Sequence, residues 1–140
     1  MIFLSYSSEH TFEAELLQFA YETMLQDLDA KVWTYQRDQA RDEKAVSQSL
    51  KEQVFCSKVV VFLVTPSTLD KGATQWMELA YADAFGKPTF ILMHQIKYDE
   101  LQSRNAPPLL LSGQCNDSGQ WRKLAEDIRN RLHPNLEQVT

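Results

Sequence analysis

Lys58-Val59-Val60-Val61-Phe62-Leu63-Val64 is an apolar run without polar alternation, and its reading decides the fold. A strand with one wet face alternates apolar and polar residues. A run with no such alternation is the pattern of a strand covered on both faces, as at the centre of a parallel sheet. Six apolar residues are far too few to cross a bilayer, which leaves the middle of a domain as their place.

Upstream, Ile2-Phe3-Leu4-Ser5-Tyr6 reads as a first strand. Phe12, Leu16, Phe19, Ala20, Met24 and Leu28 follow at spacings of three and four and predict a helix. Glu9, Glu13 and Glu15 crowd its first turn, where the helix dipole favours negative charge, and Ser8 or Thr11 is a candidate cap. Lys31-Val32-Trp33-Thr34-Tyr35 is β-branched and aromatic, a second strand. A polar segment from Gln36 to Lys44 separates it from a helix marked by Val46, Leu50 and Val54.

Downstream, Thr65-Pro66-Ser67-Thr68-Leu69-Asp70-Lys71-Gly72 reads as a loop, and the helix that follows is closed by Gly86 with Pro88 just beyond. Thr89 to His94 is a fourth strand, Leu109-Leu110-Leu111 a short fifth, and Trp121, Leu124, Ala125, Ile128 and Leu132 form a last amphipathic helix stopped near Pro134. Strands alternating with helices require crossover connections. The expected fold is therefore α/β, a flavodoxin-like three-layer sandwich with a five-stranded parallel sheet of order 2-1-3-4-5 and helices on both faces.

The chain has 140 residues, 44% hydrophobic and 11% aromatic, which suits one domain and leaves no room for two. The expected division is a domain over 1–134 and a tail or linker over 135–140, leading toward a possible further C-terminal domain. A formal net charge of −5 with scattered basic residues argues against a nucleic-acid surface. Cys56 and Cys115 make neither a metal-ligand spacing nor a disulfide framework, so no metal is expected and a reducing, cytoplasmic setting is the simplest reading. The start Met-Ile-Phe-Leu-Ser has no basic region and long apolar stretch of a signal peptide, and no membrane partner is expected of this domain.

In a sheet of this order ligands bind outside the carboxyl ends of the strands, where strand order reverses. That rule nominates Ser5 to Glu9, Tyr35 to Lys44, and Thr65 to Gln75 with the helix start at Trp76. Read as a helix, 76–86 sets Glu78 on a stripe with Tyr81, Ala82 and Phe85, and Trp76 on another with Ala80. A carboxylate among aromatic groups is costly to keep ionised. Glu78 is therefore either a solvated first-turn acid held by the helix dipole or a group placed for chemistry. Tyr6, Ser7 and Ser8 either form a capping turn or hold ribose and phosphate. Trp33 is either core or a platform for a flat ring. Arg37 and Arg41 are either solvated or poised to pair with a pyrophosphate, and His94 is either structural or turned to the crevice.

Phe3-Leu4-Ser5-Tyr6-Ser7, Lys31-Val32-Trp33, Cys56 to Pro66, and Trp76-x-Glu78-Leu79 followed by Gly86-Lys87-Pro88 occur in an order and spacing that resembles the Toll/interleukin-1 receptor (TIR) domain family, bacterial type, over nearly the whole chain. The chain departs from the family in having Thr34-Tyr35 after the second strand's Trp and no Gly between residues 9 and 71.

The resemblance implies an NAD hydrolase that cleaves the nicotinamide-ribose bond. Glu78 would be the catalytic group, NAD+ a substrate rather than a cofactor, and Tyr6, Ser7, Ser8, Trp33 and Arg37 the substrate-binding positions. It further implies homotypic TIR-TIR assembly, activation by oligomerisation, and a role as effector of a bacterial immune protein whose sensor domain lies elsewhere in a longer chain. Two alternatives accompany it. One is a non-catalytic TIR scaffold. The other is a nucleoside deoxyribosyltransferase, whose Glu-Leu-Ala-Tyr-Ala segment followed by Gly-Lys-Pro looks similar. A phosphoacceptor receiver is excluded, because its third strand ends in Asp and this one ends Val64-Thr65-Pro66.

Overall fold

Five parallel strands lie in the order β2-β1-β3-β4-β5, as the sequence predicts. They are β1 (Ile2–Ser5), β2 (Val32–Thr34), β3 (Val59–Val64), β4 (Thr89–Met93) and β5 (Gln114–Asp117). The structure, a computed structural model, describes residues 1–34, 43–71, 73–104, 106–111 and 113–132. Arg37, Arg41 and the expected tail over 135–140 lie outside the described residues. The helices are α1 (Thr11–Met24), α2 (Glu43–Cys56), α3 (Pro66–Lys71), α4 (Ala73–Ala84), α5 (Tyr98–Ser103), α6 (Pro108–Leu111) and α7 (Trp121–Leu132).

All six residues of β3 are buried, and its register sets Ser5 opposite Phe62 and Val64 opposite Met93. Alternation along the strands divides the core in two. On one face Ile2, Leu4, Val61 and Leu63 pack under α1 and α7 with Ala14, Leu17, Tyr21, Leu124 and Ile128. On the other Phe3, Val60, Phe62 and Val64 pack under α2 and α4 with Leu50, Val54, Leu79 and Ala82. The helix α4 ends in a Schellman motif: Lys87 N–H donates to Ala82 O at 2.9 Å and Gly86 N–H to Asp83 O at 3.0 Å, with Gly86 at φ 65°.

Four readings are corrected. Leu109-Leu110-Leu111 is helical, because Pro108 presets the first helical residue and Leu110 N–H closes on Pro107 O at 2.9 Å. The fifth strand is instead the polar Gln114–Asp117, whose hydrogen-bonding groups suit a sheet edge. The stretch after β3 is not a loop: Thr65 leads into α3, and its N–H donates to Thr68 Oγ1 at 3.1 Å, one half of a capping box, in which Thr65 Oγ1 takes no part.

The stripe that predicts α1 is not the stripe that α1 buries. Ala14, Leu17, Gln18 and Tyr21 face the sheet, whereas Phe12, Leu16 and Phe19 are 69%, 55% and 73% exposed. Small Ala14 permits close approach to the strands, and Gln18 is admitted because its Nε2 donates to Val32 O at 2.7 Å. In α4, Trp76 is half-buried against the core as expected, but Ala80 is exposed.

Candidate functional site

The carboxyl ends of β1 and β3 and the first turns of α4 bring together a set of buried polar side chains: Ser5, Ser7, Thr65, Ser67, Gln75 and Glu78. Each is there for a local reason. Ser5 ends β1 on the face it shares with Phe3, the face that α4 covers. Gln75, Glu78, Leu79 and Ala82 form the buried stripe of α4 at spacings of three and four, so the carboxyl is carried inward together with the apolar contacts. Gln75 Nε2 donates to Leu63 O at 3.2 Å and fastens the start of α4 to the end of β3.

Glu78 is 5% exposed. Burial pushes its pKa up from 4.5 to about 8, and the neighbouring Ser5 hydroxyl draws it slightly back down. The Ser5 contact falls short of good hydrogen-bond geometry, since Ser5 Oγ is buried without a protein partner among the described residues. Thr65 Oγ1 and Gln75 Oε1 are in the same condition. Buried polar atoms are normally satisfied. Among the described residues, the three orphans all lie around the carboxyl ends of β1 and β3 and mark this as the place where the interior is least complete in hydrogen bonds.

Ser7 joins the cluster through an Oγ to Oγ contact of 2.5 Å with Ser67. Ser8 opens the 3-10 turn Ser8–His10 just beyond. Trp33 lies on the α4 side of the sheet, but the residue is 7% exposed and its ring is stacked on Phe3, with centroids 5.0 Å apart and planes at 17°. Tyr6 packs against the opposite core, under α1 and α7. The structure thus gathers Ser7 and Glu78 at one end of the sheet, sets Trp33 in the core below, and sends Tyr6 to the other face.

His94 follows β4 and its Nδ1 is 3.0 Å from Ser118 Oγ, while its ring meets His10 edge-on at 6.1 Å; His10 in turn bonds Glu13. These groups sit beside α1, apart from Glu78. Among the described residues no cluster of His, Cys, Asp and Glu could hold a metal ion, and no helix is long and apolar enough to cross a membrane.

Comparison with known proteins adds one finding on architecture. Over 94% of this chain, and 38% of the other, the structure matches a metazoan TIR-STING receptor from C. gigas in complex with 2',3'-cGAMP, with a TM-score of 0.68 and 19% identity. The fold is TIR-like. The chain spans well under half the length of that receptor chain, and at 19% identity the likeness concerns the TIR-like architecture alone. No family model matches the sequence, and no curated protein does.

Within the TIR-like sheet, Glu78 was legible in the sequence as a carboxyl on an apolar stripe. Thr65, Ser67 and Gln75 fall within the nominated segment Thr65 to Gln75, although nothing in the sequence singles them out from its other residues. The signal of the segment as a whole is the abrupt change from the all-apolar Val59–Val64 to Thr65-Pro66-Ser67-Thr68, which places hydroxyls where the central strand leaves the core.

Proposed function

We propose that this domain hydrolyses NAD+ at the bond between nicotinamide and ribose, with Glu78 as the catalytic carboxyl and Ser7, Ser8 and Arg37 among the groups that hold the substrate. The observation that carries the reading is a buried glutamate with a raised pKa at the carboxyl ends of the strands, beside an unpartnered serine hydroxyl.

The chemistry needs little more. As the C1′–N1 bond breaks, its electron pair goes to the ring nitrogen, so nicotinamide leaves neutral and needs no acid. Positive charge moves to the ribosyl carbon, water adds there, and a proton is released. A carboxylate beside that carbon stabilises the cation as it forms. Glu78 must be ionised for this role. A positively charged nicotinamide riboside entering the site lowers the acid's pKa by the same attraction that later favours the cation.

In this proposal the domain is a cytoplasmic effector of a bacterial defence protein, joined to a sensor in a longer chain and switched on when copies assemble. The test is nicotinamide release from NAD+ at high protein concentration, with and without a crowding agent. Replacing Glu78 with Gln lowers the rate ~10²- to 10³-fold, the usual effect of removing one transition-state electrostatic group. A Glu78→Gln variant that assembles like the parent and keeps its rate sinks the reading.

A second reading, a scaffold that assembles without catalysis, is favoured by the exposed aromatic face of α1. It requires assembly with no nicotinamide release under any of these conditions.

A further inference from the structure

We propose that Ser5 is a positioning residue for Glu78: its hydroxyl donates to the carboxylate once the acid has lost its proton, and so holds the ionised side chain in one orientation. The inference rests on the hydrolase reading above for its catalytic use, not for the contact itself. Ser5 is the last residue of β1, and its pairing with Phe62 turns its side chain, like that of Phe3, to the face that α4 covers. Glu78 reaches the same place from the other side, on the buried stripe of α4 with Gln75, Leu79 and Ala82. Hydroxyl and carboxyl are neighbours across the interface of strand and helix, and both are buried.

The three polar atoms buried without a protein partner at this end of the sheet differ in what they can offer a carboxylate. Gln75 Oε1 can only accept, and its amide nitrogen is committed to Leu63 O at 3.2 Å. Thr65 carries a donor, but burial and Ser5 are the two influences on the Glu78 carboxyl among the described residues. That leaves the Ser5 hydroxyl. The charged groups of the surrounding elements face elsewhere: Lys51 and Glu52 on α2 and Asp83 on α4 are exposed, and Asp70 on α3 is held by Arg104 at 2.7 Å.

An ordinary hydrogen bond adds little net stability, because its donor gives up a bond to water in order to make it. Ser5 Oγ is already out of contact with solvent and has no protein bond to surrender. The bond it makes to an ionised neighbour therefore keeps more of its strength, and the low dielectric of the interior adds to it. While Glu78 is protonated the donor is idle. When a positively charged nicotinamide riboside drives the proton off, the donor stands ready beside the new charge, and the carboxylate needs no rearrangement of its surroundings to be held.

The test is the titration of Glu78 itself, followed by the NMR shift of its δ-carboxyl carbon in the isotopically labelled chain, with the Glu78→Gln spectrum identifying the signal. The parental midpoint is expected at about 8. Ser5→Ala moves it up by about one pH unit, and Ser5→Cys, which fills nearly the same space with a weak donor, moves it in the same direction. Thr65→Val removes the neighbouring unpartnered hydroxyl at nearly constant volume and leaves the midpoint in place. In nicotinamide release at limiting NAD+, Ser5→Ala is about tenfold slower than the parent below about pH 7 and rejoins it above about pH 10. A packing defect would instead lower the rate at every pH. Parental midpoints in Ser5→Ala and Ser5→Cys, or a Thr65→Val shift as large as that of Ser5→Ala, overturn the inference. The titration needs no substrate, so a chain that shows the Ser5 shift and releases no nicotinamide keeps this contact and loses the hydrolase reading.

Discussion

Ser7 Oγ and Ser67 Oγ lie 2.5 Å apart, so the chain leaving β1 is fastened to the helix leaving β3, sixty residues further on. Both residues are buried, so the hydroxyl that remains when its partner is removed loses its hydrogen bond. Replacing either with Ala strands the other. We expect Ser7→Ala or Ser67→Ala to cost ~1–3 kcal/mol in urea unfolding, and the double variant to cost less than the sum of the two. Additive costs would show that the contact contributes nothing.

The raised pKa of Glu78 makes stability depend on pH with a definite sign. The unfolded acid loses its proton near 4.5 and the folded one near 8. Between those values the folded state binds more protons, so stability falls as pH rises across the window. Glu78→Gln carries no charge to bury and is expected to be more stable than the parent by an amount that grows from near zero at pH 4.5 to ~4 kcal/mol at pH 8. Denaturant midpoints of the two proteins at pH 5, 6.5 and 8 measure it. Parallel curves refute the assignment.

Nicotinamide release follows the opposite slope. If the carboxylate is the working form, the rate in the unsaturated regime climbs with pH and levels off as pH passes about 8, the value of the free site. A rate flat from pH 6 to 9 separates the chemistry from Glu78.

The Trp33 ring is stacked on Phe3 at 5.0 Å, and its effect on stability is expected to exceed its effect on binding. Trp33→Ala opens a cavity in the core and costs ~3–5 kcal/mol, whereas Trp33→Phe keeps an aromatic ring against Phe3 and costs ~1–2 kcal/mol. The KM of the Phe variant for NAD+ should match that of the parent. A KM rise without loss of stability would give Trp33 a substrate-stacking role instead.

Gly86 holds φ at 65° to close α4, and a Cβ there would meet nothing within 4 Å. The cost of Gly86→Ala is thus one of backbone conformation alone, ~1 kcal/mol in thermal or denaturant unfolding. Gly86→Asn, which visits the left-handed region more readily, should cost less.

The sheet was legible because its signals are one-dimensional. An apolar run such as Val59–Val64 carries its burial in composition, and Gly86-Lys87-Pro88 carries a helix end in backbone chemistry. The inner face of α1 was not, since Phe12/Leu16/Phe19 and Ala14/Leu17/Tyr21 both satisfy helical spacing. Only the fit against the sheet chooses between them, and it selects the face with the smaller residue. The fifth strand was missed for a related reason: an edge strand needs few apolar residues, so Gln114–Asp117 looked like a connection while three leucines nearby looked like a strand. Glu78 is visible as a carboxyl on an apolar stripe, and the nominated crevice segments contain Ser5, Thr65 and Gln75, but which of their side chains turn inward beside it depends on packing between segments distant in sequence.

The last helix is bound to the first. Tyr21 Oη donates to Trp121 O at 3.1 Å, and the Arg129 guanidinium grips Asp27 at 2.5 Å and Met24 O at 2.8 Å, across sequence separations of a hundred residues or more. Leu124, Ala125 and Ile128 complete the core that Ala14, Leu17 and Tyr21 begin. During synthesis α1 therefore emerges long before α7, apolar on both its inner and its outer sides, and its packing is completed only once α7 has followed. Such distant closure makes folding slow. It also means that a chain stopped short of Trp121 would lose, along with that helix, the partners of Tyr21 Oη and Met24 O on the first.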